Sequence, residues 1–327
     1  MAALALSWAA CNTAADSLVE ASALLTLSGR NTAVVVGDEN PHGLWLVDLA
    51  TSEPRLLTFP KTGTKPKQTN LDDLEALAPI GSSDATQFLA VTSHARNSRG
   101  ELKHARSRIA RIRLADDLRS IAAVDVYSKL REPLLESLGP LLDDAARLAA
   151  AEKSPEQGGL DIEGAAWWRG KLLLGLRGPA DRHGLSIVAV LDNPTSLFDA
   201  KKPRPQFLRP LVVPARSGEA IRGMTERGDE VLLILCARAD AKNACRVVRW
   251  NPASNTQSEV ELSGIAWTQP EGISLAADGT LWFAHDLEAG APAGAPALVA
   301  CRRRSGATGA QAGGASPPAC VLSALLE

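Results

Sequence analysis

Four glutamates and one arginine stand at matched places along this chain: Glu20, Glu75, Glu163, Arg222 and Glu271 each precede an apolar run, a turn and a second apolar run. Each phrase closes on another polar or reactive side chain, Glu39, His94, Arg177, Cys236 or His285, at separations of 19, 19, 14, 14 and 14 residues. Two strands joined by a tight turn are antiparallel, so the residue ahead of the first and the residue behind the second emerge on one edge of the sheet. Five such pairs around a common axis would set the leading residues in one charged ring. Asp38, Glu39, His94, Arg96, Arg177, Arg238, His285 and Asp286 would form a second ring beside it.

Carboxylates crowded into a ring raise one another's pKa and cannot all stay ionised without positive charge. Glu75, Glu163 and Glu271 are the expected ligands if that charge is a hard divalent ion such as Ca²⁺, which takes oxygen donors. Arg222, Arg177 and Arg96 supply it internally in the competing reading, as ion pairs that lock neighbouring strand pairs. A third reading is an organic ligand site lined by Arg177, Glu163, Arg222, Arg96, Asp38, Glu39 and Asp286. Arg177 is the leading contact, because a guanidinium grips carboxylate or phosphate with two bonds and its neighbours Gly175 and Gly178 allow close approach. His94 and His285 are the candidate proton carriers, imidazole being the side chain that titrates near neutrality; the plainer alternative is a histidine hydrogen-bonded within the sheet.

Familiar catalytic signatures are missing from the sequence. There is no Gly-Xaa-Ser-Xaa-Gly elbow, no His-Glu-Xaa-Xaa-His, no phosphate-binding glycine loop with lysine and no Cys-Xaa-Xaa-Cys pair. Trp167, Trp168, Trp267 and Trp282 are candidate stacking surfaces for a sugar or, at strand positions, packing residues.

The elements that must carry these residues are short strands. The second strands of the phrases are residues 32–39, 87–94, 171–178, 230–238 and 280–286, apolar runs with little alternation, as expected where both faces are covered. Third strands follow at 43–49, 106–114, 184–192, 245–250 and 296–301, and fourth strands at 53–59, 121–128, 206–213, 258–263 and 319–326. Gly29-Arg30-Asn31, Arg169-Gly170, Asn251-Pro252 and Asp278-Gly279 punctuate them as turns. The pattern predicts an all-β propeller of five four-stranded blades, with six as the alternative, because radial repetition lets marginal strand pairs bury one another's faces.

A helical insertion is predicted at about 131–155, where Leu134, Leu138, Leu141, Leu142, Ala145 and Leu148 recur at helical spacing with a break near Gly139-Pro140. Residues 18–327 read as a single propeller domain, and residues 1–17 as a signal remnant or an N-terminal tail. The formal net charge of −2 and the lack of basic runs interleaved with aromatics point away from nucleic acid. No apolar stretch reaches the length of a membrane-spanning helix. Cys236 with Cys245, and Cys301 with Cys320, sit across expected antiparallel strands. They are read either as disulfides of an exported, periplasmic protein or as buried thiols of a cytoplasmic one.

The run GGLDIEGAAWWRGKLLLGLRGPADRHGLSIVAVLD (158–192), with GDENPHGLWLVDL (37–49), NLDDLEAL (70–77) and PEGISLAADGTLWFAHD (270–286), resembles the bacterial family known as domain of unknown function 3616 (DUF3616). That family is more distantly similar to phytase-like esterase and gluconolactonase propellers, in which acidic residues at the channel mouth hold a divalent metal. The resemblance implies a propeller and, by that longer route, a metal at Glu75, Glu163 and Glu271. Arg222 departs from the pattern by standing where a glutamate is expected. Three functions follow: a propeller binding a small anionic or sugar-like ligand at its mouth, a Ca²⁺-type hydrolase of lactones or phosphoesters, and a protein-interaction scaffold. Oligomeric state is not specified by the sequence.

Overall fold

The first two strands of each sheet form an antiparallel hairpin, and four of the five blade sheets run in chain order from axis to rim. The computed structural model describes residues 21–37, 40–62, 67–81, 86–238, 240–263, 269–287, 297–303 and 320–322. The first sheet is β1 (Ala23–Thr26), β2 (Thr32–Val36), β3 (Gly43–Asp48) and β4 (Pro54–Thr58). A two-residue ribbon, β5 (Lys61–Thr62) with β6 (Lys67–Gln68), leads into the second, formed by β7 (Leu74–Pro79), β8 (Gln87–Thr92), β9 (Ile109–Leu114) and β10 (Ile121–Tyr127). The third holds β11 (Asp161–Trp168), β12 (Lys171–Ala180), β13 (Ser186–Leu191) and β14 (Phe207–Val212). The fourth holds β15 (Glu219–Arg227), β16 (Glu230–Ala237), β17 (Asp240–Asn251) and β18 (Thr256–Val260). β19 (Leu262–Ser263), β20 (Pro270–Leu275), β21 (Leu281–His285), β22 (Leu298–Arg303) and β23 (Cys320–Leu322) make the fifth, in the order β20-β21-β22-β23-β19.

Burial explains why these runs become inner and outer strands. β8, β12, β13 and β16 are buried along nearly their whole length, so both faces are covered. The fourth strands β4, β10, β14 and β18 carry exposed polar positions, as the rim of a blade must. The buried apolar residues fall into five clusters, one for each junction between successive sheets. Phe88 and Leu44 pack between the first and second, Leu172 and Val91 between the second and third, and Trp250 and Leu173 between the third and fourth. Phe283 and Ile234 join the fourth to the fifth, and Trp282 and Val35 join the fifth back to the first. Five junctions for five sheets mean a closed ring, and β1, β7, β11, β15 and β20 line its axis in cyclic contact.

The insertion forms two helices, Arg131–Leu138 and Asp144–Glu152, wedged between the second and third blades. Leu134, Leu138, Leu142 and Ala150 point inward, whereas Ala145 and Leu148 face solvent, against the expected helical phase. The cause is the Pro140 break. The chain leaves helical geometry at Leu142, Asp143 caps a new helix by accepting from the Ala146 N–H at 2.8 Å, and the phase starts afresh.

The fifth blade corrects two further expectations. β22 and β23 are parallel, not antiparallel, with Cys301 opposite Cys320. Parallel neighbours need a crossover of a dozen or more residues, and the segment from 304 to 319 is long enough for one. Residues 258–263 are not one strand either: β18 ends at Val260, and Leu262 and Ser263 cross to pair with β23, covering its outer edge.

Candidate functional site

The pairing register slips by one residue at the same place on four of the five axial strands. The slips fall between Leu74 and Ala76, Ile162 and Gly164, Ile221 and Gly223, and Pro270 and Gly272. The residues passed over are Glu75, Glu163, Arg222 and Glu271, four of the five leading residues of the sequence pattern. A bulge re-aims the side chain it frees, which is how an otherwise continuous strand presents a polar group at its end. Glu75, Glu163 and Glu271 border one narrow space on the axis. Glu20 lies outside the described residues. In the first blade Ala23 pairs with Val36 as Ala76 pairs with Val91, which puts Ser22 at the corresponding place.

A small residue follows each of these positions: Ala23, Ala76, Gly164, Gly223 and Gly272. A Cβ on Gly164 would lie 2.6 Å from Met224 Cγ, one on Gly223 2.9 Å from the Glu271 carbonyl oxygen, and one on Gly272 2.9 Å from the Leu24 nitrogen. The strands therefore touch, and the space between them is ≈ 10 Å³, about one water molecule. The hub is plugged here rather than hollow, and the charged groups sit above a floor.

Arg222 bridges two of those charged groups. Its Nη1 lies 2.8 Å from the Glu163 carboxylate and its Nη2 bonds Glu271, with all three side chains nearly buried. Arg177 bonds Glu163 at 3.0 Å and Asp161 at 3.3 Å through the same nitrogen while its side chain stays 39% exposed. Burial first, and then the neighbouring Glu163 charge, push the Asp161 carboxyl well above the usual carboxylate range, with Arg177 opposing. Arg238 reaches solvent beside them. Loss of water around its guanidinium and then the adjacent Arg177 charge lower its pKa, with Glu163 and Asp161 opposing. Its side chain has no ion pair or hydrogen bond among the described residues.

Other expected residues are placed differently. Arg96 donates to the carbonyls of Ala151 (2.8 Å) and Gly100 (2.9 Å), tying the insertion to the second blade. His94 is fully buried with φ of 59°, its Nδ1 2.8 Å from the Thr92 carbonyl and its own carbonyl accepting from Arg131 Nε at 3.1 Å. Burial above all, with Arg131 nearby, lowers its pKa to about 4, so it stays neutral at physiological pH and serves as a joint under the insertion. His285 is also fully buried, opposite Pro270 at the end of β21. Asp286 accepts from Gln269 Nε2 at 3.2 Å. Asp38, Glu39 and Trp267 lie outside the described residues. Trp282 packs between blades, and Trp168 donates to the Asp229 carbonyl at 3.0 Å.

Asp161 and its counterpart Asp73 were not among the predicted site residues. Asp73 is buried, bonds the Ser93 hydroxyl and lies 3.2 Å from Arg106. The signal was present in the repeated Asp-Xaa-Glu of Asp73-Leu74-Glu75 and Asp161-Ile162-Glu163. Among the described residues, no group of three or more His, Cys, Asp or Glu is placed to hold a metal, and Arg222 occupies the space between Glu163 and Glu271.

Solved structures similar to this chain include the allergen Mala s 1 of Malassezia sympodialis, at 10% identity and a TM-score of 0.44, covering 82% of this chain and 72% of that one. A putative oxidoreductase (glucose dehydrogenase) of Thermus thermophilus is similar at 14% identity and a TM-score of 0.42, covering 86% and 96%. The Cps50 (Swd1) β-propeller domain of Myceliophteria thermophila is similar at 10% and 0.35, covering 81% and 62%. At these values nothing of their activities carries over. No curated protein matches. The profile described as protein of unknown function (DUF3616) matches residues 57–269, more than half of the sequence, and the chain belongs to that family.

Proposed function

We propose that the bulge end of this propeller binds a small anionic ligand, a carboxylate or phosphate, through Arg177 and Arg238. The observation that carries the reading is Arg238, a guanidinium at the surface with no bonded counter-charge among the described residues, standing beside a second, half-exposed guanidinium. Two like charges held together favour an anion between them, and guanidinium forks match its oxygens. Arg222, locked between Glu163 and Glu271, holds the floor on which Arg177 is oriented. The test is calorimetry with inorganic phosphate, citrate and a sugar acid. Arg238→Ala should weaken the best binder by about ten- to a hundredfold, the loss of one charge-assisted bond. Equal affinity in the variant would reject the reading.

The Ca²⁺-dependent hydrolase is the second reading, and the paired Asp-Xaa-Glu segments favour it. It requires a cation to displace Arg222 from between Glu163 and Glu271, so added Ca²⁺ should raise the melting temperature of the protein but not of Glu163→Ala. A scaffold calls for a contiguous apolar patch. The large apolar side chains exposed among the described residues, Leu56, Val126, Leu148 and Leu208, lie on three separate rim strands and the insertion. The Cys236–Cys245 disulfide supports function in an oxidising compartment, as an exported protein. No helix among the described residues is long and apolar enough to cross a membrane.

A further inference from the structure

At the other end of the axis the inner hairpins surround a cavity of ≈ 450 Å³. Every axial strand contributes to its wall: Thr26 from β1, Pro79 from β7, Trp167 from β11, Glu226 from β15 and Ser274 from β20. The volume falls within the range of small-molecule pockets. Leu25, Leu27, Leu275 and Ala277 add apolar surface to that of Trp167, Ser28 and Gln87 add polar groups, and the charged side chains that reach the cavity are Glu226 and Arg169.

Those two charges are treated differently by the fold. Arg169 is neutralised, its Nε 2.8 Å from Asp229 and its guanidinium stacked 5.0 Å from the Trp168 ring centre. The backbone N–H groups of Glu226 itself and of Trp167 lie near enough to its carboxyl to favour the charged form, but no basic side chain pairs with it among the described residues. Of the charged groups on adjoining elements, Arg30 in the turn between β1 and β2 is exposed to solvent and two others are engaged elsewhere. Arg227 pairs with Glu230 at 2.9 Å, and Asp278 accepts from the Thr280 N–H at 2.9 Å. Burial pushes the Glu226 carboxyl up to about 7, with the two backbone N–H groups opposing.

We propose that this cavity binds a small alkylammonium cation, its charge against Glu226 and its methyl or methylene groups on Trp167 and the surrounding leucines. Such a guest brings the counter-charge that no described residue supplies. Tryptophan is the strongest aromatic partner for a cation, and it gains most in a site shielded from water. A bare metal ion would meet a single carboxylate and would leave the ring and the leucines without a role. The site is independent of the anion reading at the opposite end, so phosphate binding there should be indifferent to every variant below.

The experiment is calorimetry on the full chain with choline and with its neutral isostere 3,3-dimethylbutan-1-ol. Choline should bind more tightly than about 1 mM and the alcohol at least about tenfold more weakly. Choline affinity should fall about tenfold from pH 8 to pH 6, as Glu226 takes up its proton. Glu226→Gln should abolish the preference for choline over the alcohol, and Trp167→Leu should weaken choline several-fold. Equal binding of the two probes, an affinity flat across that pH range, or no choline binding at about 1 mM would each overturn the proposal. The isostere and pH arms use the unaltered protein, so the outcome stands even if a variant does not fold.

Discussion

The two ends of this propeller's axis are built from the same five strands and yet are opposites. At the bulge end the residues after the slips are glycine or alanine, the strands touch, and nearly every buried charge has a partner. At the hairpin end, two or three residues further along the same strands, Thr26, Pro79, Trp167, Glu226 and Ser274 stand apart around open space, and no basic side chain among the described residues pairs with the Glu226 carboxylate. The difference teaches that side-chain size at successive positions of an inner strand sets where a propeller is closed and where it is open. A charged ring does not by itself imply a cavity.

The contrast can be broken most severely at the floor. Arg222→Ala leaves Glu163 and Glu271 buried without their shared counter-charge and should cost about 3–5 kcal/mol, read as a lowered urea midpoint. Gly272→Val tests the closure itself. A side chain there meets the Leu24 nitrogen and the Ala284 Cβ, both at 2.9 Å, and should cost about 3 kcal/mol, with a broadened melting transition. The smallest effect sharpens the other end. The folded pKa of Glu226 lies above its unfolded value, so its contribution to stability is full below the unfolded pKa and is lost as pH rises through about 7. Glu226→Gln should therefore match the parent near pH 4 and exceed it at pH 8, by about 1 kcal/mol once residual solvent screening is allowed for; parallel melting curves across pH would contradict that sign.

Much of the blade architecture was legible in the sequence because a repeat states it five times. Inner runs such as KLLLGLRG and EVLLILCAR fall on β12 and β16, and the leading positions of four phrases fall on the register slips. What stayed hidden depends on where distant segments meet. No local pattern says that β23 will lie parallel to β22, since that rests on a long connection rather than on a turn. The phase of Asp144–Glu152 was lost because Pro140 reset it. Arg96 read as a mouth residue from its place just after His94, but its donors reach the Gly100 carbonyl and the Ala151 carbonyl that the insertion brings to it. Glu226 gave no sign at all: beside Arg227 and Gly228 it reads as an ordinary residue before a hairpin, and only neighbouring strands reveal that no basic side chain among the described residues pairs with it.

β19 has a consequence for how the ring is completed during synthesis. Leu262 finds its partner in Leu322, sixty positions later, whereas every other blade-forming strand meets a neighbour already made or about to be made. Four blades can mature in the order they leave the ribosome, but the fifth waits until residues 320–322 have been made, and until then β22 offers a bare edge to any strand in reach. Premature termination shortly after residue 303 would thus yield a nearly finished ring prone to self-association rather than a smaller working one.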